Sequence, residues 1–268
     1  MPLKIISFSR PATMKKIKLK DLISYTNSLL KVNDYKDHSP IGLQVEGSAS
    51  VEKIVTGVSA SLELFNHAKE ENANLVLVHH GMFWDSDSRV IHGSVKERLS
   101  QLLKNNISLA GYHLPLDAHP VYGNNAQIIK KLNLIKREPF GTYEGKSIGF
   151  IGYTRVKEDI NVFIKKLKRI IDKDIFTLKF GNNTINKVAV CSGGAPELVK
   201  EAIKKKAEVF LTGEATEWVY HLCKEEKIHY IAAGHHATER FGIQTLGNHL
   251  QKKFKIKVKF IDLPNPIK

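Results

Sequence analysis

Three short segments concentrate the side chains that could hold a metal ion. Leu75-Val76-Leu77-Val78 runs into His79-His80-Gly81, then comes Tyr112-His113-Leu114-Pro115-Leu116-Asp117, and far downstream Gly234-His235-His236-Ala237-Thr238-Glu239. Imidazoles and carboxylates recurring after hydrophobic runs suit a mixed nitrogen and oxygen metal centre. Adjacent side chains on an extended segment point apart. His79 and His80 could share one cavity if the chain turns there, which Gly81 would permit. Alternatively, one imidazole could go to each side of a two-ion centre. His235 and Glu239 are four residues apart and share a face of a helix. Glu239 has two oxygens, enough to bridge a pair of cations, and Asp117 is a compact anionic ligand approached through the stiff Pro115. His79, His80, Asp117, His235 and Glu239 are therefore the candidate metal ligands. Each group alone reads equally well as surface or hydrogen-bonding residues, so the argument rests on the combination. Such a donor set accepts zinc, iron, manganese, cobalt or nickel without choosing among them.

Other residues near these segments are candidates for supporting roles. His113 could orient Asp117 or help handle a proton, or simply pack, and His119 has the same ambiguity. His236 points about 100° away from His235 on a helix, toward solvent or an outer position. Asn124 and Asn125, after Gly123, read as a helix cap or a substrate contact. Glu214 and His221 are seven residues apart and could meet a substrate at a lobe boundary, or serve as caps. Glu214 is a second candidate for proton transfer. Ser192-Gly193-Gly194 is not a phosphate-binding loop of the Walker type. Cys191 lacks the surroundings of a nucleophile elbow and reads as strand-end packing.

The elements that must position these residues alternate. Helix-like spacing at Leu19–Leu30 is followed by a strand at Val51–Val58, a helix at Ser61–Lys69 and a strand at Asn74–Val78. A helix at Val95–Asn105 and a strand at Ile107–Gly111 complete the first series. Strands at Ser147–Thr154, Lys187–Cys191, Val209–Gly213 and Tyr230–Ala233, with helices at Asn161–Ile171 and Glu197–Lys205, repeat it. A helix beginning near His236 and a strand at Lys255–Phe260 end the chain. This is the grammar of α/β layers, with the candidate ligands near carboxyl ends of strands, where open parallel sheets bind ligands. The expected organisation is one metal-binding lobe from 14–126 plus 232–268 and an inserted second lobe at 127–231. Residues 1–13 would be a flexible extension, with Met14 a second plausible start.

The 268 residues suffice for a large core. Lys and Arg number 41 against 27 Asp and Glu, a net charge of +14, which favours anionic partners such as nucleotides or nucleic acid. The positive charge is dispersed, and aromatic residues do not alternate with it as a single-strand groove would prefer. Two cysteines, Cys191 and Cys223, make no disulfide scaffold or paired metal spacing and fit a reducing cytoplasm. No apolar stretch approaches membrane-spanning length.

His79-His80-Gly81-Met82-Phe83-Trp84, Gly111-Tyr112-His113-Leu114-Pro115-Leu116-Asp117-Ala118-His119-Pro120 and Gly234-His235-His236-Ala237-Thr238-Glu239-Arg240-Phe241-Gly242 resemble the Ngg-interacting-factor-three-like family. Its bacterial members are commonly named GTP cyclohydrolase 1 type 2 homologs. Gly42-Leu43-Gln44-Val45-Glu46-Gly47, Leu211-Thr212-Gly213-Glu214 and Phe260-Ile261-Asp262-Leu263-Pro264-Asn265-Pro266 agree with its short bacterial form, and the match runs from Met14 to the end. The resemblance implies a two-lobed α/β fold, with mixed or parallel sheets flanked by helices in both lobes, and a ring-shaped homohexamer. It also implies two divalent metal ions, with His80 and Asp117 on one, His79 and His235 on the other, and Glu239 bridging. The implied activity is metal-dependent hydrolysis, with GTP attacked at purine C8 and formate released. A phosphoesterase acting on nucleotides, a non-catalytic metal-delivery or regulatory protein, and a nucleic-acid-interacting ring are the alternatives.

Overall fold

The computed structural model describes residues 15–267, so the extension expected over 1–13 and the start at Met14 lie outside the described residues. Strand β1 (Ile17–Lys18) leads into α1 (Leu19–Leu30), whose buried face of Leu19, Leu22, Thr26 and Leu30 recurs at three- and four-residue intervals. There follow β2 (Gly42–Val45), β3 (Ser50–Val51), β4 (Lys53–Ser59), α2 (Leu62–Glu70), β5 (Leu75–His80), α3 (Gly93–Lys104), β6 (Ser108–Gly111), α4 (Leu114–Ala118) and α5 (Asn124–Lys131). Next come β7 (Ile135–Tyr143), β8 (Lys146–Asp159), α6 (Ile160–Ile170), β9 (Phe176–Leu178), β10 (Thr184–Val190), α7 (Val199–Lys204), β11 (Val209–Thr212), α8 (Val219–Glu225) and β12 (His229–Ala232). The chain closes with α9 (His235–Phe254) and β13 (Lys257–Phe260).

Among the described residues two main sheets form. One has the order β13-β4-β5-β6-β2, parallel from β13 to β6 and closed by antiparallel β2. The other has the order β7-β8-β10-β11-β12-β9, with β10, β11 and β12 parallel and the outer strands antiparallel. Each is covered by helices on both faces, which explains why the parallel strands read as continuous hydrophobic runs. In β5, Leu75 and Leu77 face the core beneath α1 and α9, while Val76 and Val78 face the core beneath α2 and α3. Each such side chain contributes about 1.5–3 kcal/mol by leaving water.

Helix α9 joins the two halves. Its first turns put Ala237 and Phe241 into the core of the second sheet, and its later turns put Ile243, Leu246 and Leu250 into that of the first. α5 spans the expected 126/127 lobe division, with Ala126, Ile128 and Ile129 packed in the second sheet's core. The sequence locates the parallel strands and, at Ser147–Thr154, the core of antiparallel β8, but not β2, β7 or β9. β2 and β9 have only 4 and 3 residues. β7 is mostly exposed and carries Pro139, so no hydrophobic run betrays it.

Candidate metal centre

The parallel strands of both sheets send their carboxyl ends to one place. From the first sheet come Ser59 at the end of β4, His79 and His80 at the end of β5, and His113 and Asp117 after β6. From the second come Ser192 and Gly193 after β10, Glu214 after β11, and His235 at the start of α9 after β12. Strand ends and the loops that follow them supply these groups, which is how open α/β sheets assemble sites.

His79 and His80 both belong to β5, so no turn at Gly81 is needed to bring them together. Their ring centroids lie 4.7 Å apart at the strand end, and Glu239, one helical turn after His235, reaches both. His79 Nε2 is 3.4 Å from Glu239 Oε1 and 3.4 Å from Asp117 Oδ2. His80 Nε2 and His235 Nε2 are each 3.1 Å from Glu239 Oε2. The structure thus groups His79 with Asp117 and His80 with His235, with one Glu239 oxygen facing each group. The resemblance implied the other allocation, His80 with Asp117 and His79 with His235; the rings of His79 and His80 lie 4.7 Å apart, so all five side chains share one cluster. His79 Nε2 meets Asp117, and the His80 ring lies 5.2 Å from that of His235. Gly81 serves clearance instead: a Cβ there would lie 2.1 Å from Gln44 Nε2, and Gln44 Oε1 accepts the Met82 amide at 2.8 Å.

Each inward imidazole is fixed from behind. The Tyr112 carbonyl lies 3.0 Å from His79 Nδ1, Ser59 Oγ 2.9 Å from His80 Nδ1, and Glu214 Oε1 2.6 Å from His235 Nδ1. An acceptor facing Nδ1 keeps the proton on that nitrogen and leaves an Nε2 lone pair facing the cluster, the arrangement that orients histidine ligands. Asp117 Oδ1 accepts from Asn124 Nδ2 at 2.9 Å and Ser192 Oγ at 3.1 Å, leaving Oδ2 toward His79.

The residues fit bound metal. His79 Nε2 and Glu239 Oε2 are buried with no hydrogen-bond partner among the described residues, a costly state unless something else satisfies them. Donor atoms sharing a small cation at roughly 2.0–2.2 Å lie about 3.3 Å apart around it, close to the separations found. Two donor triads, His79-Asp117-Glu239 and His80-His235-Glu239, each lie within 4.8 Å. A third, His79-His80-His113, brings in His113, whose ring centroid is 5.1 Å from that of His79.

Burial pushes the His79 imidazole down, but the charges of Asp117 and Glu239 outweigh it and raise it to about 9. For His235 burial is likewise outweighed by Glu239 and Glu214, again to about 9. At His80 burial prevails and the shift is downward. Burial would raise Glu239, yet the surrounding imidazoles hold it well below the usual carboxylate range. Metal binding requires neutral imidazoles, so at pH 7 it must expel the protons of His79 and His235. Calorimetry in buffers of different ionisation heat should count about two protons released on loading at pH 7, falling toward none above pH 9. Affinity should rise with pH across the same interval. Loading that releases no protons at pH 7 would contradict this electrostatic arrangement.

Several expected roles change. His113 does not orient Asp117: its Nδ1 is 2.9 Å from Oδ1 of Asp37, a buried carboxylate that also accepts the Leu114 amide at 3.0 Å. Asn124 and Asn125 open α5, but their side chains do not cap it. Asn124 holds Asp117 and accepts the Gly242 amide, while Asn125 bonds the Ile148 carbonyl and the Ser192 amide. His119 Nδ1 accepts the amides of Val121 and Tyr122, a local turn role. His236 pairs with Asp262 at 2.9 Å. Glu214 reaches His235, whereas His221 lines a separate pocket with Phe176 and Tyr220, so the two do not meet at one site. Cys191 is buried at the end of β10, and its thiol is pushed well up by burial. No local sequence pattern assigns Asp37, Ser59, Ser192 or Gly193 to the cluster. Only the Cys191-Ser192-Gly193 turn gave any signal, and it was read for a different chemistry.

The cluster forms the floor of a cleft of about 1050 Å³ between the halves, lined among others by Trp84, Arg98, His113, Tyr143 and Glu197. A groove of similar volume along α1, lined by Lys18, Lys20 and Lys31, contains none of the candidate ligands. No helix among the described residues is long and apolar enough to cross a membrane.

The family model described as Duf34/NIF3 (NGG1p interacting factor 3) matches residues 17–266. The chain is 40% identical over 256 residues to the GTP cyclohydrolase 1 type 2 homolog of Haemophilus influenzae, covering 94% of this chain and 100% of that one. It is 40% identical over 250 residues to the same-named protein of Pseudomonas aeruginosa, covering 93% and 99%. Its structure superimposes on the protein ybgI with a TM-score of 0.89 at 37% identity, covering 93% of this chain and 100% of the other. For TTHA1606 of Thermus thermophilus the TM-score is 0.86 at 30% identity, with coverage of 94% and 100%.

Proposed function

This chain belongs to the Duf34/NIF3 family, and we propose that it is a dinuclear metal-dependent hydrolase acting on GTP at purine C8, with release of formate. One observation carries the metal reading: a buried carboxylate, Glu239, offers one oxygen to His79 and the other to His80 and His235. The names of the relatives carry the choice of substrate. His79, His80, Asp117, His235 and Glu239 would hold two divalent cations. When bound, such a pair supplies Lewis acidity and activates solvent near neutral pH. The chain's own residues do the rest. Tyr112, Ser59 and Glu214 orient the imidazoles, and Asn124 with Ser192 fixes Asp117. Glu214 acts by holding His235, since Oε1 is already engaged there. His113, held by Asp37 beside the centre, gives and takes the proton as water adds across the purine C8=N7 bond and the C8–N9 bond breaks, N9 leaving with a proton and N7 keeping the formyl group. A second water then adds to that formyl carbon, and the C8–N7 bond breaks to release formate and a free amine at N7. The two-ion arrangement also suits phosphoester hydrolysis, the second reading. The homohexameric ring, which sizing by light scattering would test, belongs to the same proposal.

The assay compares GTP with a chromogenic phosphodiester, bis(p-nitrophenyl) phosphate, with metal loaded and chelated. Formate from GTP that disappears on chelation is the expected result. No formate from fully loaded protein rejects cyclohydrolase chemistry, and nitrophenol release in its place selects the phosphoesterase. Asp37→Asn tests the proton-handling pair. Metal content should stay at the wild-type level while turnover falls about 10²-fold, because His113 loses the anion that fixes its tautomer. Unchanged turnover would remove His113 from the mechanism.

A further inference from the structure

A single arginine stands in the wall of the cleft. Arg98 lies on α3, and Ser94 and Val95 of the same helix line the cleft beside it. Among the described lining residues there is no other lysine or arginine. Its Nε is buried, and no acceptor among the described residues is hydrogen-bonded to it. A guanidinium stays charged and presents donors in a fixed planar fork, so a buried N–H without an acceptor is a position waiting for one. Acidic groups of the cleft do not fill that position. Asp87 Oδ2 is engaged by the Trp84 amide at 2.8 Å, the Asp117 and Glu239 carboxylates are turned to the cluster, and among the described residues no ion pair joins Arg98 to these groups or to Glu197, the remaining acidic residue of the lining. Trp84 adds an aromatic wall whose ring is 5.3 Å from that of His113, so the cleft offers a flat apolar surface together with one fixed cation.

We propose that Arg98 is a specificity-determining residue that captures an anionic group, carboxylate or phosphate, of a ring-bearing substrate reaching down to the metal cluster. The reacting end rests on the hydrolase reading above, but capture of the anion rests on the cleft alone. Carboxylate and phosphate both present paired oxygens that match the guanidinium fork, so the test separates the two sources.

The experiment uses the full chain loaded with metal and reads binding, not turnover. GMP, guanosine and orotate are titrated calorimetrically into wild type, Arg98→Gln and Arg98→Lys, with metal content measured for each. Wild type should bind GMP at least about tenfold more tightly than guanosine. Arg98→Gln should reduce GMP to the level of guanosine at unchanged metal content, and Arg98→Lys should recover part of the loss. If orotate binding depends on Arg98 and GMP binding does not, the carboxylate is the captured group, and the GTP assignment fails while the Arg98 role stands. If Arg98→Gln keeps wild-type affinity for both anions, or neither anion binds loaded wild type, the proposal is overturned. Because the readout is affinity, absence of formate in the activity assay bears on the hydrolase reading and leaves this one intact.

Discussion

Glu239→Gln is expected to lower bound divalent metal from about two ions per chain to less than about half an ion, with loss of affinity of at least ~10³-fold. The substitution keeps the side chain's size and removes its charge. It also places an amide N–H₂ where one carboxylate oxygen faced either His79 or the His80–His235 pair. An amide nitrogen has no lone pair for a cation, so at least one of the two groups loses its shared donor. Elemental analysis of protein dialysed against a known free-metal concentration reads the result. The melting temperature of the metal-free variant provides the control for folding, because burial of Glu239 without its charge also removes the attraction that raises His79 and His235. A folded variant that still holds two ions would refute the bridging role.

Gly193→Ala should produce the second largest effect, from a residue that carries no chemistry of its own. Gly193 has φ +71, and a Cβ on it would lie 2.2 Å from Glu239 Oε1 and 3.3 Å from His235 Nε2. Glu239 is packed in the cluster and cannot withdraw as a surface side chain would. The left-handed conformation alone costs an alanine about 1–2 kcal/mol, and the collision raises the expected loss of stability to about 2–4 kcal/mol. Metal affinity should fall more than about tenfold, as a shift of Glu239 misplaces its oxygens for both groups. Gly145→Ala separates the two causes. Gly145 also has positive φ, +76, but nothing lies within 4 Å of its would-be Cβ. That variant should lose only the conformational part, with metal binding unchanged. Denaturant titrations of both variants, with metal analysis, check the prediction. Equal behaviour of the two would show that clearance at Gly193 is irrelevant.

These two residues also mark what could be read from the chain in advance. Glu239 was legible because few residue types bind metals, and its spacing from His235 places both on one helix face. His79, His80 and Asp117 were legible for the same reason, being imidazole or carboxylate groups at the ends of hydrophobic strands. Gly193, Ser59 and Asp37 were not. Glycine, serine and aspartate occur in countless turns, and what distinguishes these three is who stands beside them. Asp37 precedes His113 by 76 positions, and Ser192 follows Asp117 by 75. No local pattern links residues so far apart. The misread Asn124 and Asn125 make the same point: beside a glycine at a helix start their local meaning is a cap, yet tertiary packing turns them toward Asp117 and Ser192.

By itself, the sequence determined the parallel strands, most of the helices and the donor atoms available for a metal, because these follow from hydrophobic periodicity and side-chain chemistry within short windows. Tertiary structure decided the short or exposed antiparallel strands β2, β7 and β9, the distances within the cluster, and the supports behind each imidazole. The physical reason is the range of the forces concerned. Periodicity and ligand type are properties of neighbours along the chain, whereas the facing of two rings across a carboxylate depends on how α9 packs against both sheets at once.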